Sequence, residues 1–349
     1  METKNPVLLI TIVFWYIMCH AAIADVVVNG SLEIPLFPPD NWWYIPVESA
    51  PLDPSSDAII DYIGRSDGMH PDFGALMEYG ISYGVVPSNT PLMPVTFLYA
   101  DESDSGAPGR SPGYPIPLEA KTNTMIEGAV PGGGTSGDRH LILVDQGNRL
   151  LFETWATQWD GAKWTAGSGA VFELDTNNRR PDGWTSADAA GLAVLPGLVR
   201  AEEIFSYSNI THAIRATVHG VKGYVFPASH NATTDVNSPI PLGTRLRLKP
   251  DTVISNFPFQ ARIIMQAMKT YGLIIADSGA DLYFQGTSDP RWNNDILNPA
   301  FRAITADDFE AIELGWDIPE PLCSLLPFAF LYILSIRRQF RYPMSVDHK

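Results

Sequence analysis

The chain has 349 residues, 45% of them hydrophobic, which is enough for one large domain or two modest ones. Its 39 acidic residues against 23 basic ones leave a net charge of −16. A surface of that sign repels nucleic acid and anionic lipid, and leaves neutral glycans, cations and basic partners open.

At the N-terminus, Lys4 precedes an apolar stretch over residues 6–19, and Ala22-Ile23-Ala24 supplies the small-x-small pattern of a signal-peptidase site. The expected signal peptide is residues 1–24, with a mature chain beginning at Asp25; an uncleaved anchor is the alternative. The only cysteines are Cys19 and Cys323, near the two ends. No disulfide, Cys-based metal site or thiol nucleophile is therefore available to the body between them.

Residues 25–138 read as an irregular N-terminal part packed on the core. The 28 glycines and 29 prolines favour short strands joined by turns over long helices. Residues 55–63 predict one short helix, while 101–117 and 131–137 read as loops rich in Gly, Pro, Ser and Asp.

Residues 139–317 form the expected β-rich core. The runs 141–144 and 150–152 flank Asp145-Gln146-Gly147-Asn148, the pattern of a hairpin. Further strands are expected at 170–174, 213–218, 223–226, 244–248, 273–276 and 282–284. In 244–248 the alternation of Arg245 and Arg247 with Leu predicts a half-buried strand. Ala261, Ile264, Met265, Met268 and Tyr271 recur at helical spacing between Pro258 and Gly272, which predicts a packed helix. The fold class that follows is mainly β, a sandwich or jelly-roll-like core with one packed helix and an irregular N-terminal segment; α+β is the alternative.

Two regions concentrate chemistry. The string Arg179-Arg180-Pro181-Asp182-Gly183-Trp184 with Asp188 sets carboxylates, guanidinium groups and an indole in a turn-rich stretch. Trp faces stack on sugar rings, and Asp and Arg bond hydroxyls or carboxylates. The second region holds Trp155, Trp159 and Trp164 beside Glu153 and Asp160. Alternation on the strand puts Glu153 and Trp155 on one face, so Glu153 is a candidate general acid or base if burial raises its pKa. A buried loop held by Arg180 and simple core packing of the tryptophans are the competing structural readings.

His140, His212 and His230 stand at strand ends, where a rim-facing catalytic group and a structural histidine are both accommodated. None has metal-ligand spacing, and the acidic strings near 101–104 and 289–295 lack the EF-hand pattern and read as solvated loops, so no metal or cofactor is expected. A P-loop, a dinucleotide fingerprint and a G-x-S-x-G elbow are also absent from the sequence. Two schemes remain. A histidine or Tyr271 as base with Arg180 or Arg215 neutralising a uronate makes a polysaccharide lyase. Glu153 with Asp182 or Asp188 makes a glycoside hydrolase, with carboxyls about 5 Å or roughly 6.5–9.5 Å apart.

Residues 318–349 form a tail in which Ile318-Pro319-Glu320-Pro321 precedes an apolar run over 322–336 and then Arg337, Arg338 and Arg341. This ordered set resembles the PEP-CTERM sorting signal of exosortase-bearing Gram-negative bacteria; an ordinary C-terminal anchor is the alternative. The resemblance implies export with signal peptidase and exosortase as partners, transient inner-membrane anchoring, and a final place on the cell surface or in an exopolysaccharide matrix. The body from Asp40 to Trp316 is also similar to a group of secreted bacterial proteins without an established activity. The shared strings resemble Gly137-Asp138-Arg139-His140, residues 181–192 with Pro196-Gly197-Leu198-Val199-Arg200, and His212-Ala213-Ile214-Arg215.

The expected protein acts on carbohydrate as a glycosidase or lyase, with polysaccharide as its partner and no nucleic acid. Its expected substrate-binding residues are Trp155, Trp159, Trp164, Arg180, Trp184 and Arg215. Its expected catalytic residues are drawn from Glu153, Asp182, Asp188, His140, His212 and His230. A non-catalytic glycan-binding or structural matrix protein is the alternative.

Overall fold

A computed structural model describes residues 26–76 and 78–317. The expected signal peptide and sorting tail lie outside the described residues. Among those described, no helix is long and apolar enough to cross a membrane.

The class is mainly β, built on three sheets without a closed barrel. The first sheet has the order β1 (Val27–Val28), β3 (Tyr83–Val85), β5 (Leu141–Asp145), β6 (Leu150–Trp155) and β9 (Ser168–Glu173). The second runs β14 (Phe309–Ala311), β11 (Arg245–Leu248), β12 (Leu273–Ser278), β10 (Ile214–Val218), β13 (Tyr283–Gln285) and β2 (His70–Asp72). The third is small: β4 (Val95–Phe97), β8 (Trp164–Ala166) and β7 (Gln158–Trp159).

The expected hairpin is present. Asp145 pairs with Leu150, and the Asp145 carboxylate caps the turn by accepting from Asn148 N–H at 3.0 Å and from the Ser88 hydroxyl at 2.6 Å. Its strands read as continuous apolar runs because the first sheet is covered on both faces. Ile142, Val144, Leu151 and Phe172 pack with Leu36, Phe37 and Leu195, while Leu141, Leu143, Phe152 and Val171 pack with Tyr114, Ile126 and Trp164.

The second sheet carries the largest core. α2 (Phe259–Thr270) lies between β11 and β12 in sequence and buries Ala261, Ile264, Met265 and Met268, the spacing from which it was expected. β10 and β12 run parallel through the centre, with a register shift after Ala216 that pairs Thr217 with Asp277. α1 (Ser56–Ile63) falls where the short N-terminal helix was expected and buries Ile59, Ile60 and Ile63.

Three local expectations fail. The stretch 223–226 forms no strand, only a bridge from Tyr224 to Leu242, because Gly223 takes φ 72° and Pro227 brings no N–H to continue a ladder. β11 is buried on both faces. Arg245 donates to the carbonyls of Tyr271, Trp42 and Ile45, and Arg247 pairs with Glu310 and donates to backbone carbonyls at 47–50. Finally, 289–295 is not simply a solvated loop: Asn293 caps α3 (Asn294–Arg302), which buries Leu297, Ala300 and Phe301.

Candidate functional site

One end of the first sheet and the C-terminal end of β12 approach each other and leave a cleft of about 460 Å³ between them. Antiparallel pairing brings the start of β5, the end of β6 and the start of β9 together, which delivers Asp138, Trp155 and Ser168 to one wall. β12 ends on Asp277 and Ser278 at the opposite side, and the segment 185–189 runs between them as the floor. Tyr99 with Glu102, and His230 with Ala232 and Thr233, complete the rim.

Acidic side chains mark this lining: Glu102, Asp138 and Asp277 face the cleft, the carboxylate of Asp188 is buried behind its floor, and no lysine or arginine lines it. Asp277 is half-buried and accepts one hydrogen bond, from Ser278 N–H at 2.7 Å. Burial, helped by the neighbouring Asp188 and Asp138 charges and opposed by Arg215, pushes its carboxyl up to about 6. Asp138 is exposed and accepts from the Trp155 indole N–H at 3.1 Å, which fixes its orientation beside an aromatic face.

Asp188 is fully buried, with Oδ1 2.9 Å from Arg215 and Oδ2 lacking any hydrogen-bond partner. Burial pushes its carboxyl upward and the Arg215 guanidinium opposes the push. Arg215, whose own pKa stays high against burial because Asp188 and Asp277 flank it, holds its charge opposite that carboxyl. Arg215 also donates to Gln285 Oε1 at 2.6 Å. It therefore supports the floor from behind.

Two further cations brace the walls. His140 Nδ1 lies 2.6 Å from Glu127 and Nε2 lies 3.0 Å from the carbonyl of Ala187, a cleft residue. Burial alone would depress this imidazole, but Glu127 outweighs it and holds it up at about 9. Arg180 donates to the Thr185 carbonyl, to Asp104 and, at 2.8 Å, to the Glu102 carbonyl, tying the rim to the floor. At the rim, His230 Nδ1 sits 2.9 Å from the Ala189 carbonyl. A carbonyl only accepts, so Nδ1 is the donor of that bond, and Nε2 lies 3.5 Å from Glu102.

Of the residues singled out from sequence, Trp155, Asp188 and His230 line the cleft, while His140, Arg180 and Arg215 support it. The others stand elsewhere. Glu153 is buried in the first sheet and accepts from Val194 N–H and Leu195 N–H at 2.8 and 2.9 Å. Burial, partly offset by those donors, raises it to about 7, yet it has no route to the cleft. Asp182 is exposed and pairs with Arg179. His212 is locked between Glu203 and its neighbour's carbonyl. Trp159 and Trp164 meet at a tilt of 56° in the small sheet with centroids 5.4 Å apart, and Trp184 lies under Arg180.

Sequence reasoning did not single out Tyr99, Glu102, Asp138 or Asp277 as site residues. Glu102 and Asp138 were visible only as members of an acidic string and of a hairpin entry. Asp277 gave no signal beyond ending a strand.

Among the described residues, no group of three or more His, Cys, Asp or Glu side chains is placed to hold a metal ion. No protein-family model, curated protein or solved structure matches the chain.

Proposed function

We propose that the protein is an exported glycoside hydrolase that takes a neutral or cationic glycan chain into the cleft between the first and second sheets. The observation that carries this reading is Asp277, an accessible carboxyl held at about 6 in a cleft that also contains a second carboxylate and two aromatic faces. Asp277 protonates the leaving-group oxygen. Asp138, oriented by the Trp155 indole, is the second carboxyl group, which activates water or attacks the anomeric carbon. Trp155 and Tyr99 offer stacking surface to sugar rings, and Ser168, Thr185, Thr233 and Ser278 supply hydroxyls.

The same lining disfavours the lyase scheme. A uronate carboxylate entering the cleft meets Glu102, Asp138 and Asp277 and no guanidinium, since Arg215 is buried against Asp188 and Gln285 and Arg180 holds Asp104 and two carbonyls. Export, surface or matrix location and exosortase processing belong to the same proposal and rest on the two ends of the sequence.

The test follows reducing ends and the ultraviolet absorbance of unsaturated uronates together on neutral and uronic polysaccharides. The expected result is release of reducing ends alone, from neutral chains. Absorbance rising with reducing ends would replace the hydrolase by a lyase. Retardation in glycan gels without either signal would replace it by a binding protein.

A further inference from the structure

The two walls of the cleft touch at one place. The rim segment 99–104 belongs to the first-sheet side, since Tyr99 N–H donates to the Gly167 carbonyl at 2.9 Å and Asp104 N–H to the Gly169 carbonyl at 3.0 Å. His230 belongs to the opposite side. There Ser229 N–H donates to the Ala190 carbonyl, and Ala190 N–H in turn to the Ala276 carbonyl of β12. Even so, Glu102 Oε2 and His230 Nε2 lie 3.5 Å apart, the one polar contact from wall to wall among the described lining residues.

Both partners of that contact are also tied to the floor. His230 Nδ1 donates to the Ala189 carbonyl at 2.9 Å, while Arg180 holds the Glu102 carbonyl at 2.8 Å and the Thr185 carbonyl with the same guanidinium. Floor and walls are thus stitched together at this junction. Between the Asp138–Trp155 side and the Asp277–Ser278 side, by contrast, no hydrogen bond runs among the described residues. Heavy atoms 3.5 Å apart are in contact, so no sugar ring passes between Glu102 and His230.

We infer that the cleft is closed at the Glu102–His230 junction and takes the end of a glycan chain, not its interior, with these two side chains bonding hydroxyls of the terminal sugar. A terminal sugar carries a free hydroxyl where an internal one carries the next linkage. A carboxyl and an imidazole are matched to that hydroxyl, and a site built to bond a hydroxyl discriminates strongly against a ligand lacking it. The size agrees. A cleft of about 460 Å³ is in the range that encloses a drug-sized molecule, comparable to a short oligosaccharide. The inference rests on the hydrolase reading above and names its substrate class: chain ends, attacked by an exo-acting enzyme whose specificity Glu102 and His230 set.

The experiment gives the full-length chain soluble xylan, galactomannan and mixed-linkage β-glucan, and follows viscosity, reducing ends and product size together. Wild type should release short sugars from the outset while viscosity holds. The Glu102→Ala/His230→Ala double variant, and Glu102→Ala alone, should lower viscosity at an equal yield of reducing ends, with folding checked by circular dichroism. Early loss of viscosity with wild type would overturn the inference and leave the hydrolase standing. If wild type binds one of these glycans without cleaving it, the hydrolase falls, and calorimetry with oligosaccharides of that glycan O-methylated at one end or the other decides the inference separately. Capping one end should weaken binding at least about tenfold, and equal binding of free and capped forms would overturn it. Neither binding nor cleavage of any of the three would remove both.

Discussion

Asp277 and Glu153 are both carboxyls lifted by burial, and their surroundings give them different work. Asp277 keeps a free side toward the cleft, whereas Glu153 spends both oxygens on the N–H groups of Val194 and Leu195. Glu153 is therefore a pH-dependent structural group. Its folded-state value near 7 lies above the ordinary 4.5, so the stabilisation of its neutral form is complete below about 4.5 and is lost as the pH rises through 7. Once it is ionised, the penalty is on the order of 3 kcal/mol. Thermal melts from pH 5 to 8 should show Tm of the wild type falling through about 7 and that slope flattened in Glu153→Gln. A slope unchanged by the substitution would place the titration elsewhere. Sequence alternation put Glu153 on the face of Trp155 correctly, yet it could not say that residues 193–198 close over that face and seal Glu153 away. Asp277 was illegible for the opposite reason. It lies at the end of an apolar strand, where an aspartate reads as a turn residue, and its importance comes from β10, which pairs with β12 across more than fifty residues.

At the scale of elements, the segment 180–188 is both the floor of the cleft and its fastening. Arg180 holds the Thr185 carbonyl on one side and Asp104 with the Glu102 carbonyl on the other. Replacing it by Met leaves Asp104 with the Val171 N–H but without its guanidinium, and leaves the Thr185 and Glu102 carbonyls short of a donor. Breaking such a buried pair costs about 3 kcal/mol, and urea denaturation of Arg180→Met should show a loss of that order. Loss below about 0.5 kcal/mol, the usual range for surface changes, would mean the clamp is not buried in solution. The string around Arg180 stood out in the sequence because turn residues surround two guanidinium groups; that it braces rather than binds depends on Asp104, which lies 76 residues away. The hairpin, α1 and α2 were legible because local periodicity and breakers specify them. β11 misled because alternating Arg and Leu implies a solvated face, and backbone carbonyls instead receive both guanidinium groups inside the protein. α3 escaped notice because Pro299 interrupts its pattern, and only its last turns bury apolar residues.

At the scale of the whole molecule, the described cores are built from apolar packing without any disulfide. The cores on the two faces of the first sheet and the larger one around the second contain no cysteine, and the two cysteines of the chain lie near its ends. Tm should therefore be unchanged by a thiol reductant, and a drop of several degrees would reveal a disulfide that supports the fold. The mainly-β class followed from short strands and frequent turns, but the cleft did not, because it exists only where one sheet's end meets the other's. Its acids come from residues 102, 138, 188 and 277, so no window of sequence contains the site.

The measurement that tests the account most directly compares wild type and Asp277→Asn for release of reducing ends across pH, on the polysaccharide that the wild type binds best. The account predicts that activity of the wild type falls as the pH rises through about 6, where Asp277 loses its proton. It also predicts that Asp277→Asn lowers kcat by roughly 10²- to 10⁴-fold while glycan binding persists. Activity undiminished in Asp277→Asn, or no release of reducing ends by the wild type from any glycan it binds, would contradict it.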